Sequence, residues 1–209
     1  MKVTVDRVTL TSIHSLGIGA SKDDITPVIT QIALKREGDQ LRAMATDRYM
    51  VLTGLYSNVQ FEEWAEDETL LVDPKALKSV IDIKKADKFD TIPVTITKDA
   101  DTGWVSAVIN SVTSIDLGKV NATFPPVTKL FPSGDDYPSG AGHLNLRADF
   151  LAKLAKVLPP EAKPERNRTW RFEFRSVDNL KPQPVYAQYS NGEDYKLEAL
   201  IQPALDKRA

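Results

Sequence analysis

The chain has 209 residues, 42% of them hydrophobic and 27% charged, with a formal charge of −2. That is enough for one large domain or two smaller ones. No apolar run approaches the ~20 residues of a membrane helix, and a protein gripping phosphates over its whole surface would be far more basic. With no cysteine, disulfides, zinc fingers and thiol catalysis are removed together.

The N-terminal MKVTVDRVTL scatters its charges and holds no uninterrupted apolar core, unlike a secretory signal, so a cytosolic protein is expected. TSIHSLGIGASKDD follows as a short helix weakened by Gly17 and Gly19. VITQIALKRE (Val28 to Glu37) and QLRAMATDRYMVLTGLYS are strand-like on either side of Gly38-Asp39, which predicts a hairpin. Glu62-Glu63 and Glu66-Asp67-Glu68 then read as an acidic, solvated connection.

In DPKALKSVIDI, Asp73 is a good N-cap and Pro74 suits the first helical position. Leu77, Val80 and Ile81 fall on one helical face, with Lys75, Lys78 and Lys85 opposite. PVTITKDADTGWVSAVI repeats the hairpin pattern, turning near Asp101-Thr102-Gly103. In ADFLAKLAKVLPP, Phe150, Leu154, Val157 and Leu158 form the buried stripe, Lys153 and Lys156 lie away from it, and Pro159-Pro160 stops the helix. The last hairpin is fainter: TWRFEFRS and PVYAQYS flank a loop with Asn179, Pro182 and Pro184, and Asn191-Gly192 turns into DYKLEALIQP.

One pattern, strand–helix–strand–strand–strand, therefore recurs three times at a spacing of roughly 60 to 75 residues. The fold class is α+β, each unit offering one amphipathic helix and one sheet to bury against each other. Other signals fail. GIGAS (Gly17 to Ser21) lacks the Gly-Lys-Ser/Thr ending of a phosphate loop and reads as a flexible turn. Asp99, Asp101 and Gly103 start like a calcium loop, but Gly103 takes a ligand position and Asn110 stands where the closing glutamate belongs. His14 and His143 have no partners at metal-site spacing, and no G-x-S-x-G nucleophile elbow occurs.

Four blocks, in order, resemble the bacterial β sliding clamp family. ITPVITQIALKREGDQLRAMATDRYMVL (Ile25 to Leu52) is similar to the family's middle domain, where a glycine turn leads into ATDGHRL. ETLLVDPKALKSVIDI is similar to the strand and helix that follow, GKVNATFPPVTKLFPS to the connector G-x-FPDYxRVxP, and YKLEALIQPALD to the closing strand with its IMPMRL ending. The resemblance spans nearly the whole chain, with departures. Arg48 stands at the family's glycine and Met50 at its arginine, Val127 replaces the connector's tyrosine, and Gln202 and Ala204 replace two methionines. The family has six such units, whereas this chain holds about three.

The resemblance implies a DNA-clamp fold built from strand–helix–three-strand units. A complete clamp-like domain is expected over 1–123 (units 1–60 and 61–123), a connector over 124–134, and a single unit over 135–209. It implies two working surfaces and no cofactor. One is a helix-lined ring interior holding duplex DNA without reading sequence, with Lys75, Lys78, Lys85, Lys153 and Lys156 as candidates and Arg48 as a weaker one; the plainer reading of these lysines is a solvated helix face. The other is a pocket for a partner peptide of polymerase and other proteins. It would be built from Thr46, Arg48, Tyr49 and Val51, from the connector's Pro125, Lys129 and Leu130, and from Leu200, Gln202 and Pro203. The plainer reading of Val51 and Leu200 is core packing.

The function so implied is a non-enzymatic, homo-oligomeric replication processivity factor, its compactness matching a streamlined viral, bacteriophage-like form. An odd unit at the C-terminus must pair with something, a symmetry-related copy being one option. The rivals are a clamp-like adaptor that never encircles DNA, and an enzyme or small-molecule binder on a repeated α+β fold.

Overall fold

Asp6 sets the first helix. Its side chain accepts the Thr9 amide at 2.7 Å as an N-cap, and Leu10, Ile13 and Leu16 then recur on one face, all fully buried. In the computed structural model of the chain, α1 (Arg7–Leu16) thus begins earlier than its glycine-flanked sequence predicts, following strand β1 (Lys2–Val5). The structure describes residues 1–66, 68–86, 93–109, 111, 113–120, 122–131, 146–157, 170–173, 184–190 and 195–203, with backbone alone for 84–86 and 195.

The predicted strand from Val28 is shorter than expected. Pro27 opens a 3-10 turn over Pro27–Thr30, and extended chain starts only at β2 (Ile32–Glu37). Gly38, at φ 59°, makes the expected turn into β3 (Gln40–Thr46). The next stretch, strand-like throughout in sequence, breaks at Asp47–Tyr49 and resumes as β4 (Met50–Tyr56). Asp47 causes the break, because its Oδ1 accepts the amides of Tyr49 and Met50 at 3.1 and 2.9 Å and folds the chain back. β5 (Val59–Glu62) and β6 (Thr69–Val72) follow, so Glu62 ends a strand and pairs with Lys2 at 3.2 Å rather than lying in a loop. Trp64 is buried in the connection and its indole N–H donates to the Glu68 carbonyl at 3.2 Å.

Helix α2 (Pro74–Ala86) starts where Asp73 and Pro74 predict, the Asp73 side chain accepting the Lys75 amide at 2.8 Å. It is succeeded by β7 (Val94–Lys98), β8 (Val105–Ile109) and β9 (Thr113–Gly118). The β7–β8 turn is capped by the Asp99 side chain, which accepts from the Asp101 and Thr102 amides and the Thr102 hydroxyl; this is the hairpin reading. The last unit supplies α3 (Ala148–Val157), β10 (Arg171–Glu173), β11 (Val185–Ser190) and β12 (Tyr195–Ile201). Leu158, Pro159-Pro160, His143, Asn179, Pro182, Asn191-Gly192 and Ala204 lie outside the described residues.

The strands form two antiparallel sheets, ordered β5-β1-β7-β8-β9 and β10-β11-β12-β4-β3-β2-β6. The first two units exchange their leading strands: β1 pairs with β7, and β6 pairs with β2. The third unit attaches through β12, which pairs with β4 over seven residues from Tyr195↔Tyr56 to Ile201↔Met50. The sheet of the odd C-terminal unit therefore finds its partner strand within the chain.

Helix α1 packs on β2, β3 and β4 of the seven-stranded sheet and lies against both α2 and α3, while α2 packs on β9 of the five-stranded sheet. Leu10, Ile13, Leu77, Val80, Phe150 and Leu154 share a core with Leu34, Ala43, Leu52, Ala187, Leu197 and Ala199. The GIGAS segment is part of this packing, not a flexible turn. A Cβ on Gly19 would lie 2.7 Å from Leu52 Cδ1, closer than side chains approach, so the position admits glycine because β4 presses against it. No helix among the described residues is long and apolar enough to cross a membrane.

Candidate functional site

The seven-stranded sheet has a second apolar face, opposite α1. Alternation along its strands points Tyr186, Leu200, Val51 and Thr46 the same way. Register sets them side by side across β11, β12, β4 and β3. The next row holds Met44, Ala33 and Leu71. These side chains would leave a bare apolar patch, but the segment after β9 crosses them. Phe124 and Val127 pack with Val51, Leu200, Met44, Val28 and Ile29 in a cluster separate from the main core. A 3-10 turn over Val127–Leu130 carries the chain onward, and Phe131 meets the Tyr186 ring edge-on at 6.2 Å.

Three of the predicted segments, the β3–β4 turn, the connector and the end of β12, thus meet on one face. Their residues divide into floor and rim. Val51, Leu200 and Pro203 are buried. Thr46 is buried too, and its hydroxyl, donating to the Met50 carbonyl at 2.8 Å and accepting the Arg48 amide at 3.2 Å, builds the turn instead of facing outward. Pro125 is half-buried; Arg48, Tyr49, Lys129, Leu130 and Gln202 are exposed, Tyr49 by 62% and Leu130 by 63%. The Gln202 amide donates to the Tyr49 carbonyl at 2.9 Å, joining the C-terminal strand to the turn.

Arg48 sits in the left-handed region at φ 77°, where the resembled family has glycine. An L-residue there costs about 1–2 kcal/mol. The turn holds it through the Thr46 hydroxyl and through a hydrogen bond from the guanidinium to the Thr26 hydroxyl. Sequence reasoning missed Tyr186, Phe124, Ile29 and Met44. For Tyr186 a signal existed, since in VYAQYS it falls on the outward phase with Gln188. Its hydroxyl donates to Glu198 at 2.6 Å, linking the apolar floor to a polar band. In that band Arg42 bridges Glu37 at 2.7 Å and Glu198 at 3.3 Å. Burial pushes the Glu198 carboxyl up, but the hydrogen bonds from Tyr186 and Lys196 and the charges of Lys196 and Arg42 outweigh it and hold the group below the usual glutamate range.

The helix side carries the basic candidates. Lys75, Lys78 and Lys156 come together with His14 along a shallow groove of about 380 Å³ between α1, α2 and α3. It continues into a cavity of about 520 Å³ that Lys22, Asp24, Asp73 and Lys75 border. Among the described residues Lys75 and Lys156 form no ion pair, whereas Lys78 is held by Asp82 at 2.6 Å. Lys153 is not in the groove lining. Its ammonium lies 2.7 Å from Asp47, and both side chains are mostly buried. The Lys85 side chain lies outside the described residues.

No protein-family model and no curated protein matches the chain at the sequence level. Solved structures do match. The DNA polymerase sliding clamp of Pseudomonas aeruginosa superposes with a TM-score of 0.72 at 11% identity, over 98% of this chain and 66% of that one. The DNA polymerase III β subunit of Thermotoga maritima gives 0.69 at 14% identity, over 98% and 65%. The β chain from Streptococcus pneumoniae gives 0.70 at 12%, over 98% and 64%. The chain spans slightly less than two thirds of the length of these structures. Its fold, with α2 and α3 packed beside α1 and a connector crossing the opposite face of the seven-stranded sheet, is that of the bacterial DNA sliding clamps.

Proposed function

We propose that the chain is a sliding-clamp processivity factor: a non-enzymatic protein that encircles duplex DNA as a closed oligomer and tethers a polymerase through the apolar site around Val51 and Leu200. The observation that carries this reading is the division of labour across one sheet. The uncommitted lysines Lys75 and Lys156 lie along the groove between the helices. On the face of the seven-stranded sheet away from α1, the apolar cluster of Val51 and Leu200, covered by Phe124 and Val127, is rimmed by the exposed Tyr49, Leu130 and Gln202. A surface that neutralises some phosphates without reading bases needs only such cations at helical spacing. A platform rimmed by exposed apolar groups and a few polar ones suits an extended peptide with one or two large side chains. Topological linkage explains how a chain of charge −2 could stay on DNA. In this reading residues 1–123 form the complete domain, 124–134 the connector and 135–209 the added unit.

A second reading, an adaptor that keeps the peptide site and never closes a ring, draws support from β12, whose pairing with β4 leaves that strand needing no second chain. Solution mass by light scattering across a concentration series separates the two. A discrete closed oligomer that loads onto nicked circular DNA and slides off after linearisation supports the ring. A monomer at high micromolar concentration, with equal retention on circular and linear DNA, refutes it and leaves the adaptor.

A further inference from the structure

We propose that Arg48 reads a carboxylate on the partner, so that the peptide taken by the outer apolar site is an acidic–apolar segment, not merely an apolar one; this rests on the site being a peptide site at all. Arg48 is exposed at the apex of the β3–β4 turn, next to Tyr49 and one residue beyond Asp47. It occupies a left-handed backbone position, φ 77°, that glycine would take without strain. Strain kept at the rim of a binding surface points to a use for the side chain that bears it.

The side chain is also pre-positioned. One guanidinium nitrogen donates to the Thr26 hydroxyl, which fixes the long arm along the rim instead of leaving it free in solvent. Four of its five N–H donors stay uncommitted among the described residues. The nearby carboxylates do not neutralise it. Asp47 spends one oxygen on the Tyr49 and Met50 amides and the other on Lys153. Asp23, on the loop that carries Thr26, accepts the Ile25 amide and forms no ion pair with Arg48 among the described residues.

A second cation, Lys129, is exposed on the connector's 3-10 turn beside Leu130. The surface over the buried cluster of Val51, Leu200, Phe124 and Val127 is thus apolar at the exposed Tyr49 and Leu130 and cationic at Arg48 and Lys129. A planar guanidinium held in place matches a carboxylate through two parallel hydrogen bonds. The peptide's apolar anchors would sit against Tyr49 and Leu130 at alternate positions, as an extended chain presents them, with the acidic residue between or beside them.

The test uses fluorescein-labelled decapeptides with leucine and phenylalanine at alternate positions in a serine–glutamine background. A single glutamate is moved through every non-anchor position, against glutamine at the same place. Binding is read by anisotropy at low and at moderate salt, to the wild-type chain and to Arg48→Gln and Arg48→Lys, with a 30-base-pair duplex measured in parallel. The expected result is a preference of about two- to fivefold for glutamate at one or two positions, the range of a partly exposed charge pair. It should shrink with salt, vanish in Arg48→Gln and persist in part in Arg48→Lys. Equal binding of glutamate and glutamine peptides at every position overturns the proposal and leaves the peptide site standing. A loss in Arg48→Gln confined to the duplex also overturns it, assigning the cation to nucleic acid. If no peptide of the series binds, the peptide-site reading falls and the proposal falls with it.

Discussion

The ammonium of Lys153 on α3 lies 2.7 Å from the carboxylate of Asp47 in the β3–β4 turn, and the two close a contact between residues 106 positions apart. That one pair joins the helical side of the sheet to the loop that carries Arg48 and Tyr49. Because Asp47 also caps the Tyr49 and Met50 amides, the two ends of the pair are not equivalent. Asp47→Ala should destabilise by about 2–3 kcal/mol and Lys153→Met by about 1 kcal/mol, since the first removes a turn cap as well as the ion pair. Urea unfolding of both single variants and the double variant checks this; equal losses in the two singles would remove the capping role.

The same pair separates Lys153 from the groove lysines. For the wild-type chain, log affinity for duplex DNA should fall linearly with log salt. Lys75→Gln and Lys156→Gln should each reduce that slope by about 0.9, and Lys153→Gln should leave it unchanged. A slope that responds only to Lys153 would place the phosphates on a different surface.

Gly19 and Gly38 are glycines for different reasons. At Gly38 the backbone has φ 59° and an added Cβ would meet no atom within 4 Å, so asparagine, which tolerates that conformation, should cost about 1 kcal/mol or less. At Gly19 the obstacle is Leu52, and Gly19→Ala should cost about 1–3 kcal/mol through overpacking. Leu52→Ala alone costs about 2–5 kcal/mol as a core truncation, and the Gly19→Ala, Leu52→Ala double variant should lose less than the sum of the two singles, measured as a thermal-melt cycle. Additive melts would show that the contact does not matter.

Arg48→Gly should leave stability unchanged or raise it by up to about 1 kcal/mol, because relief of the left-handed strain opposes the loss of the Thr26 hydrogen bond. Chemical denaturation gives the sign. A loss beyond about 1 kcal/mol would mean the tether contributes more to the fold than the strain costs.

Glu198 gives the chain an acid-sensitive element. Its folded carboxyl is held below the usual range despite burial, by Tyr186, Lys196 and Arg42. As the pH falls, a group of this kind binds its proton in the unfolded chain first. Its contribution is present above about pH 4–5 and is lost as the pH falls through the lower folded value. The slope of unfolding free energy between about pH 5 and pH 3 should therefore be shallower in Glu198→Gln than in the wild type. An identical slope would show that other carboxylates carry the acid response.

The sequence by itself determined the elements whose signals are local. Asp73-Pro74 with Leu77, Val80 and Ile81 specify α2, because caps and a 3.6-residue period act within a few turns of chain. Gly38 and Asp99 specify their hairpins through backbone conformation and an adjacent side chain. The clamp-like order of blocks was legible for the same reason, being written along the chain. Only the tertiary structure decided which residues are spent on the fold and which are left exposed. Nothing near Lys153 in sequence indicates that Asp47 engages it, whereas Lys75, equally helical, stays uncommitted. Thr46, Val51 and Leu200 belong to three segments that meet on one face, yet register turns them inward under Phe124 and Val127 and leaves Arg48, Tyr49 and Leu130 exposed. The exchange of β1 and β6 between sheets and the β12–β4 pairing are likewise invisible to periodicity, which fixes the face of a strand but not the neighbour it bonds to.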